Sequence, residues 1–261
     1  MNDPTPGASP PGMATVYRAT LDALAQYGPR RTGVTHIARL AGTNRPYLYR
    51  NWSSPRALLQ DATLAELHRL LHVAGDLTDR LPPGCLEVHR VVRAARLLRE
   101  HPVVRTLART APELAHAAVL RPTTVWHRAA WAWLRDDVAG RLPRDTRDTT
   151  VRALLTTALP YALTPPPDAP DPDTTKPDTT KPGTTHPDTT RPDTPDPGAA
   201  RAAVDRRLSQ ALHPCLGLPA DCPHCHPHRG DAANAGSTGN DTGAANHGGA
   251  GDDEQRGEDA P

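Results

Sequence analysis

Two clusters in this chain have residue types and spacings suited to chemistry. The first is Asn44-Arg45-Pro46-Tyr47-Leu48-Tyr49-Arg50. If this stretch is helical, Leu48 and Trp52 anchor one face, and Arg45, Pro46, Tyr47, Tyr49 and Arg50 face outward. Seven helical residues span roughly 10 Å, which fits a DNA major groove about 12 Å wide. The second cluster is Cys222-Pro-His-Cys225-His-Pro-His228, with Cys215 ahead of it. Two thiols two residues apart, with imidazoles beside them, form a hook for a soft metal such as zinc or copper. A structural zinc site pairs two hooks and the sequence displays one. The candidate ligands are Cys215, Cys222, Cys225 and His226; the alternative is a tail whose ligands are incidental.

Helices must hold the first cluster in place. Met13, Val16, Tyr17, Thr20, Leu21, Leu24 and Tyr27 recur every three or four residues and mark one helix face. Gly28 suits a left-handed C-terminal cap and Pro29 prevents continuation. A second helix starts near Val34, turns Val34, Ile37, Ala38 and Ala41 inward, and ends at Gly42. Asn44 caps the third segment, with Pro46 in its first turn, and Ser54-Pro55 opens a fourth helix. This is the pattern of a helix-turn-helix reader. Residues 1–60 carry seven arginines against two aspartates, whereas the whole chain is only +1, so positive charge gathers where phosphates would lie. The competing reading is a small three-helix bundle that binds nothing.

These residues resemble the tetracycline-repressor (TetR) family of transcriptional regulators. The matching motifs are Tyr27-Gly28, Val34-Thr35-His36-Ile37-Ala38, Ala41-Gly42, Pro46-Tyr47-Leu48-Tyr49-Arg50 and Leu58-Leu59. The likeness is strong over residues 13–60 and loose to about 163. The chain departs from the pattern in four places. Gly33 stands where the family has Thr or Ser, with Thr32 one residue earlier as a substitute. Thr43-Asn44 replaces Val-Ser, Trp52 replaces Phe, and Pro55 replaces a phosphate-binding Lys, whose charge Arg56 would supply. The resemblance implies that Tyr47, Tyr49 and Arg50 touch phosphates or base edges, and that Asn44, Arg45 and Pro46 enter the groove first. It places Thr32, Thr35 and His36 near the backbone. Arg45 is the residue whose planar fork matches the O6/N7 edge of guanine.

The family body encloses a pocket for a small inducer. Here the resemblance implies a lining of Leu97, Val104, Leu107, Trp126, Ala130 and Trp133, although indoles sharing a helix face also serve as core filling. His116 and His127 are expected to be satisfied by the surface or the core. The resemblance further implies a homodimer joined through the last two long helices, 145–163 and 199–213, bound to a double-stranded operator.

Composition sets the domain plan. The 30 prolines and 19 glycines concentrate before residue 13, between 160 and 198, and after 213. The fold expected is all-α: a disordered arm (1–12), a helix-turn-helix head (13–53), and a helical regulatory body (54–163). A Pro/Thr/Asp linker (164–198), a terminal dimerisation helix (199–213) and a disordered tail (214–261) follow. Within the body we expect helices over 55–71, 85–99, 123–140 and 145–163, a break at His101-Pro102, and only a short turn over 103–109. Pro160 should kink or stop the last of these helices. The linker repeats PDTTK-like pentads, which cannot form a core. Lengthening a five-residue connection to 35 costs only about 1.7 kcal/mol in closure entropy, so the terminal helix can still dock, on its own subunit or on a partner.

The N-terminus has neither the basic nor the apolar region of a signal peptide, and no apolar run reaches the roughly 20 residues of a membrane span. Four cysteines without a disulfide framework point to a cytoplasmic protein. No nucleophile–base pairing, phosphate loop or carboxylate pair stands out, so no enzyme and no cofactor are expected. The function expected is a ligand-released homodimeric repressor; the alternative is a metal-responsive or metal-handling protein that works through the Cys/His cluster.

Overall fold

Helix ends in the head are set by caps and glycines. α1 (Met13–Tyr27) closes at Gly28, whose φ of 73° suits glycine and whose N–H reaches Leu24 O. α2 (Val34–Leu40) runs into Gly42 at φ 63°, which turns the chain sharply toward the next helix. α3 (Arg45–Asn51) is capped by Asn44, whose Oδ1 accepts the Tyr47 N–H at 2.9 Å. α4 (Pro55–Gly75) starts with Ser54 Oγ accepting the Ala57 N–H at 3.2 Å. Pro46 and Pro55 lie in first turns, where the missing N–H has no partner to lose. The inward faces meet in a core of Val16, Ala23, Ile37, Ala38, Leu48, Trp52 and Leu58. Met13 was expected inward but is 59% exposed, because it begins α1 beyond the reach of that core.

This computed structural model describes residues 12–77, 81–164 and 197–225. The expectations of disorder for the arm, for the pentad linker up to residue 196 and for the tail beyond residue 225, and His226 as a ligand, fall outside the described residues; residues 214–225, expected to belong to the disordered tail, instead form the 3-10 turn after α10 and the turns that follow it.

The body continues with α5 (Cys85–Glu100), α6 (Pro102–Thr110), α7 (Pro112–Leu120), α8 (Val125–Trp133), α9 (Arg144–Leu163) and α10 (Pro197–Leu212). A π-helical turn, Leu134–Val138, extends α8, and a 3-10 turn, His213–Leu216, follows α10. The described residues contain no strand, so the fold is all-α as expected. Among them no helix is long and apolar enough to cross a membrane.

Residues 102–110 form a helix where the sequence suggested a turn, and α7 was not anticipated. Both start on prolines that looked like breaks. His101 Nδ1 accepts the Val103 N–H at 3.3 Å and so caps α6, with Pro102 in its first turn. Pro112 holds the same position in α7. The single helix expected over 123–140 is divided between α8 and the π-helical turn. α9 continues past Pro160 to Leu163.

The body core joins Val88, Val91 and Ala95 of α5 to Val151, Leu154, Leu155 and Leu159 of α9 and to Leu208 and Leu212 of α10. Thus α10 docks on its own chain, across the long connection. A buried ion pair reinforces it: Arg99 Nη2 lies 2.7 Å from Asp205 Oδ1, and the Arg99 side chain is 1% exposed. Arg96 approaches the same carboxylate at 3.5 Å from the solvent side.

Candidate nucleic-acid interface

The third helix presents its polar side outward. Asn44, Arg45, Pro46, Tyr49 and Arg50 are exposed, and Tyr47 is half-buried against the head core. Leu48 and Trp52 anchor the opposite side. The Trp52 ring leans on Tyr17 with centroids 6.1 Å apart, and its Nε1 donates to Asp61 Oδ2 at 3.1 Å. Arg45 is held rather than free. Its Nε donates to Thr35 Oγ1 at 2.9 Å and its Nη2 reaches the same oxygen. The tie joins α2 to α3 and reduces the side-chain freedom that Arg45 would lose on meeting a base. Arg56 is exposed at the start of α4.

Two of the expected backbone contacts are placed differently. Thr32 does not cap α2: it is buried, and its hydroxyl lies 2.7 Å from Gly28 O and 3.1 Å from Ala23 O, binding the turn back to α1. The α2 cap position is Gly33, which offers no side chain. The His36 ring stacks on Tyr27 with centroids 4.7 Å apart, so its face packs within the head.

A model of the bacterial regulatory proteins of the tetR family matches residues 16–62, the span from α1 into α4. The match covers the head alone, and it is the head that is similar to that family. No curated protein matches its sequence significantly. The matched domain supports a DNA-binding transcription regulator whose head is the helix-turn-helix just described.

Behind the head lies a cavity of about 610 Å³, lined by α1, α4, α5, α6, α7, α8 and α9. That volume is in the range of small-molecule sites. Val104, Leu107, Trp126, Ala130 and Trp133 all line it. Leu97 does not: it packs with Leu67, Leu71, Ala74 and Ala94, while its neighbour Leu98 takes the lining position. One residue is 100° of helical rotation, enough to move a side chain off the wall. Trp126 Nε1 donates to Thr63 Oγ1 at 3.1 Å, so this indole is fixed at the wall. His116 and His127 bond backbone carbonyls of Pro112 and Val119, each at 2.7 Å.

The polar end of the cavity was not legible in the sequence. Glu66 Oε1 lies 2.6 Å from Arg69 Nη2 and 3.1 Å from His101 Nε2. The hydrogen bonds from Arg69 hold the Glu66 carboxyl below its usual range, outweighing burial. Burial pulls His101 below the ordinary imidazole value despite the attraction of Glu66. A neutral ring fits the geometry: Nδ1 accepts from Val103 and Nε2–H donates to Glu66.

The expected metal ligands divide. Cys222 and Cys225 come together, but with Cys85 and His213, and the four ligand atoms lie within 4.8 Å of one another. Cys215 stands apart, half-buried against the body core, its Sγ 3.7 Å from Ala211 O and 4.0 Å from Thr157 Oγ1. All four cysteines are free thiols. Burial, together with the nearby Cys85 and Cys222 thiols, pushes Cys225 up to about 12.

Proposed function

We propose that this regulator is a homodimeric repressor, released from its operator by a small, largely apolar molecule. What supports the reading is the course of the cavity wall. α6 is capped by His101, a cavity residue, and runs against the head: Thr106 Oγ1 donates to Ala25 O of α1 at 2.8 Å. Arg30, just past α1, pairs with Glu113 of α7 at 3.0 Å. An occupant that displaces α6 therefore displaces α1. A ligand that prefers the displaced arrangement shifts the population by its differential affinity for the two states. Apolar walls favour an apolar skeleton, and the Glu66–His101 end favours one hydrogen-bonding group.

On the DNA side, Asn44, Arg45, Pro46, Tyr47, Tyr49 and Arg50 read the groove, with Thr35 orienting Arg45 and Arg56 adding phosphate attraction. Homodimerisation follows from function, since two third helices must sit about 34 Å apart to read successive major grooves on one face of the duplex. The test is selection of bound sequences by the full chain from a random duplex pool at physiological salt. The expected result is a palindrome with half-sites about one helical turn apart. Weak, salt-sensitive binding without enrichment refutes a sequence-reading dimer.

A further inference from the structure

We propose that Cys85, His213, Cys222 and Cys225 hold one zinc(II) ion, in a closed cage that fastens the segment after α10 to the start of α5. The four residues come from three places in the chain. Cys85 is the first residue of α5. His213 opens the 3-10 turn after α10. Cys222 and Cys225 form a two-thiol hook, closed by the Cys225 N–H donating to Cys222 O at 3.1 Å. Cys85 Sγ and Cys222 Sγ are 3.4 Å apart, and His213 Nε2 is 3.2 Å from Cys225 Sγ. Zinc–sulfur bonds of about 2.3 Å at tetrahedral angles separate sulfurs by about 3.8 Å, so the ligands are already within about an ångström of coordinating positions.

The second observation is the orientation of the histidine. His213 is wholly buried, and its Nδ1 lies 2.6 Å from the Ser209 carbonyl, one helical turn back. Nδ1 must carry the proton to donate there, so Nε2 presents its lone pair to the three sulfurs. Metal-binding imidazoles are oriented in this way. Cys85 is itself buried at the start of α5. The neighbouring Glu87 carboxylate is tied to the Gly84 N–H at 2.5 Å.

The surrounding chain is shaped for this closure. Gly217, at φ 72°, reverses the backbone after the 3-10 turn. Leu218 then lies over Gly84, where a Cβ would come within 2.8 Å of its Cδ1. Gln210 Nε2 and Asp221 Oδ1, 3.3 Å apart, bring the hook back alongside α10. Three thiolates and one imidazole are a zinc donor set. Four protein ligands leave no open position, so the site is structural rather than catalytic. Binding releases the three thiol protons to solvent as the zinc–sulfur bonds form.

The test is the metal content of the full chain, purified under reducing conditions without a metal-affinity step. The wild type should carry about one zinc per chain and retain it through dialysis. Cobalt(II) exchanged into the site should give the strong visible bands of a tetrahedral thiolate complex. Cys225→Ser and His213→Ala should lose the metal, while Cys215→Ser should keep it. Should the ligand variants fail to fold, thiol reactivity of the wild type decides. One thiol, Cys215, should react in the metal-loaded protein, and four after chelation. Absence of zinc both at purification and after zinc supplementation overturns the proposal. So does a Cys85–Cys222 disulfide in the reduced preparation, or a Cys215→Ser variant that loses the ion as fully as Cys225→Ser.

Discussion

Removing Asp205 should release the terminal helix from the body. The Arg99 guanidinium is buried, with Asp205 as its anionic partner and its Nε and Nη1 lacking hydrogen-bond partners. Asp205→Ala therefore leaves a cation in a low-dielectric site with nothing opposite it. Breaking a buried pair from one side costs about 3–5 kcal/mol, well above the cost of losing an exposed pair. With a urea m value of about 2–3 kcal/mol/M, the unfolding midpoint should fall by roughly 1–2.5 M. Chemical denaturation followed by tryptophan fluorescence reads this directly, since Trp131 and Trp133 pack against the core that α10 covers. The double variant Arg99→Met/Asp205→Leu should recover most of the loss, because it removes both charges and keeps apolar volume. A midpoint shift in Asp205→Ala below about 0.3 M would refute the buried pair, and with it the docking of α10 on α5 in the same chain.

Other consequences are testable singly. Arg45→Ala should weaken operator binding by about 1–3 kcal/mol and relax one base position in the selected site; equal weakening on every sequence would assign Arg45 to phosphate instead. Gly42→Ala should destabilise the head by about 1 kcal/mol in thermal melts purely through its backbone angle, since a Cβ there meets nothing within 4 Å. Trp52→Phe should cost about 1 kcal/mol by removing the indole donor to Asp61, and Asp61→Asn in the Phe background should then add almost nothing. Acid should weaken the fold in two steps. His101 binds its proton more weakly folded than unfolded, so stability present above the free imidazole value is lost as pH falls from about 6.5 through its lowered folded value. Glu66, held low mainly by Arg69, adds a further loss at more acidic pH, as its own lowered value is passed. His101→Gln should flatten the upper step in urea midpoints measured against pH.

The head was legible because its instructions are local. Asn44, Ser54, Gly28 and Gly42 act within one turn of where they stand, and caps and glycines have one conformational meaning each. The same rule, applied unevenly, explains the misreading of α6 and α7. Pro46 and Pro55 read as helix starts because a good cap precedes each. Pro102 and Pro112 read as breaks because His101 and Ala111 are not ordinary caps, yet His101 caps α6 through a ring nitrogen. Thr32 seemed a substitute cap by adjacency, and only the path of the turn shows that its hydroxyl is directed back at α1. The cavity lining was mostly recoverable, with Leu97 lost to a one-residue error in helical phase. The Cys/His constellation was half visible. A hook two residues apart declares itself in sequence, but Cys85 lies 137 residues from Cys222 and becomes its neighbour only when α10 folds back on α5. The available hint was arithmetic: one hook needed partners, and Cys85 was the remaining cysteine.

The docking of α10 also makes covalent continuity dispensable. Leu208 and Leu212 are fully buried, Asp205 meets Arg99, and Leu218 rests over Gly84. None of these contacts depends on how residue 164 is joined to residue 197. Expressed as two separate polypeptides, one ending at Thr164 and one beginning at Pro197, the halves should find each other and reconstitute the body. The long connection then sets only the local concentration of the second half. Its length is free to drift through repeat expansion, while the partner surfaces on α5 and α9 stay fixed.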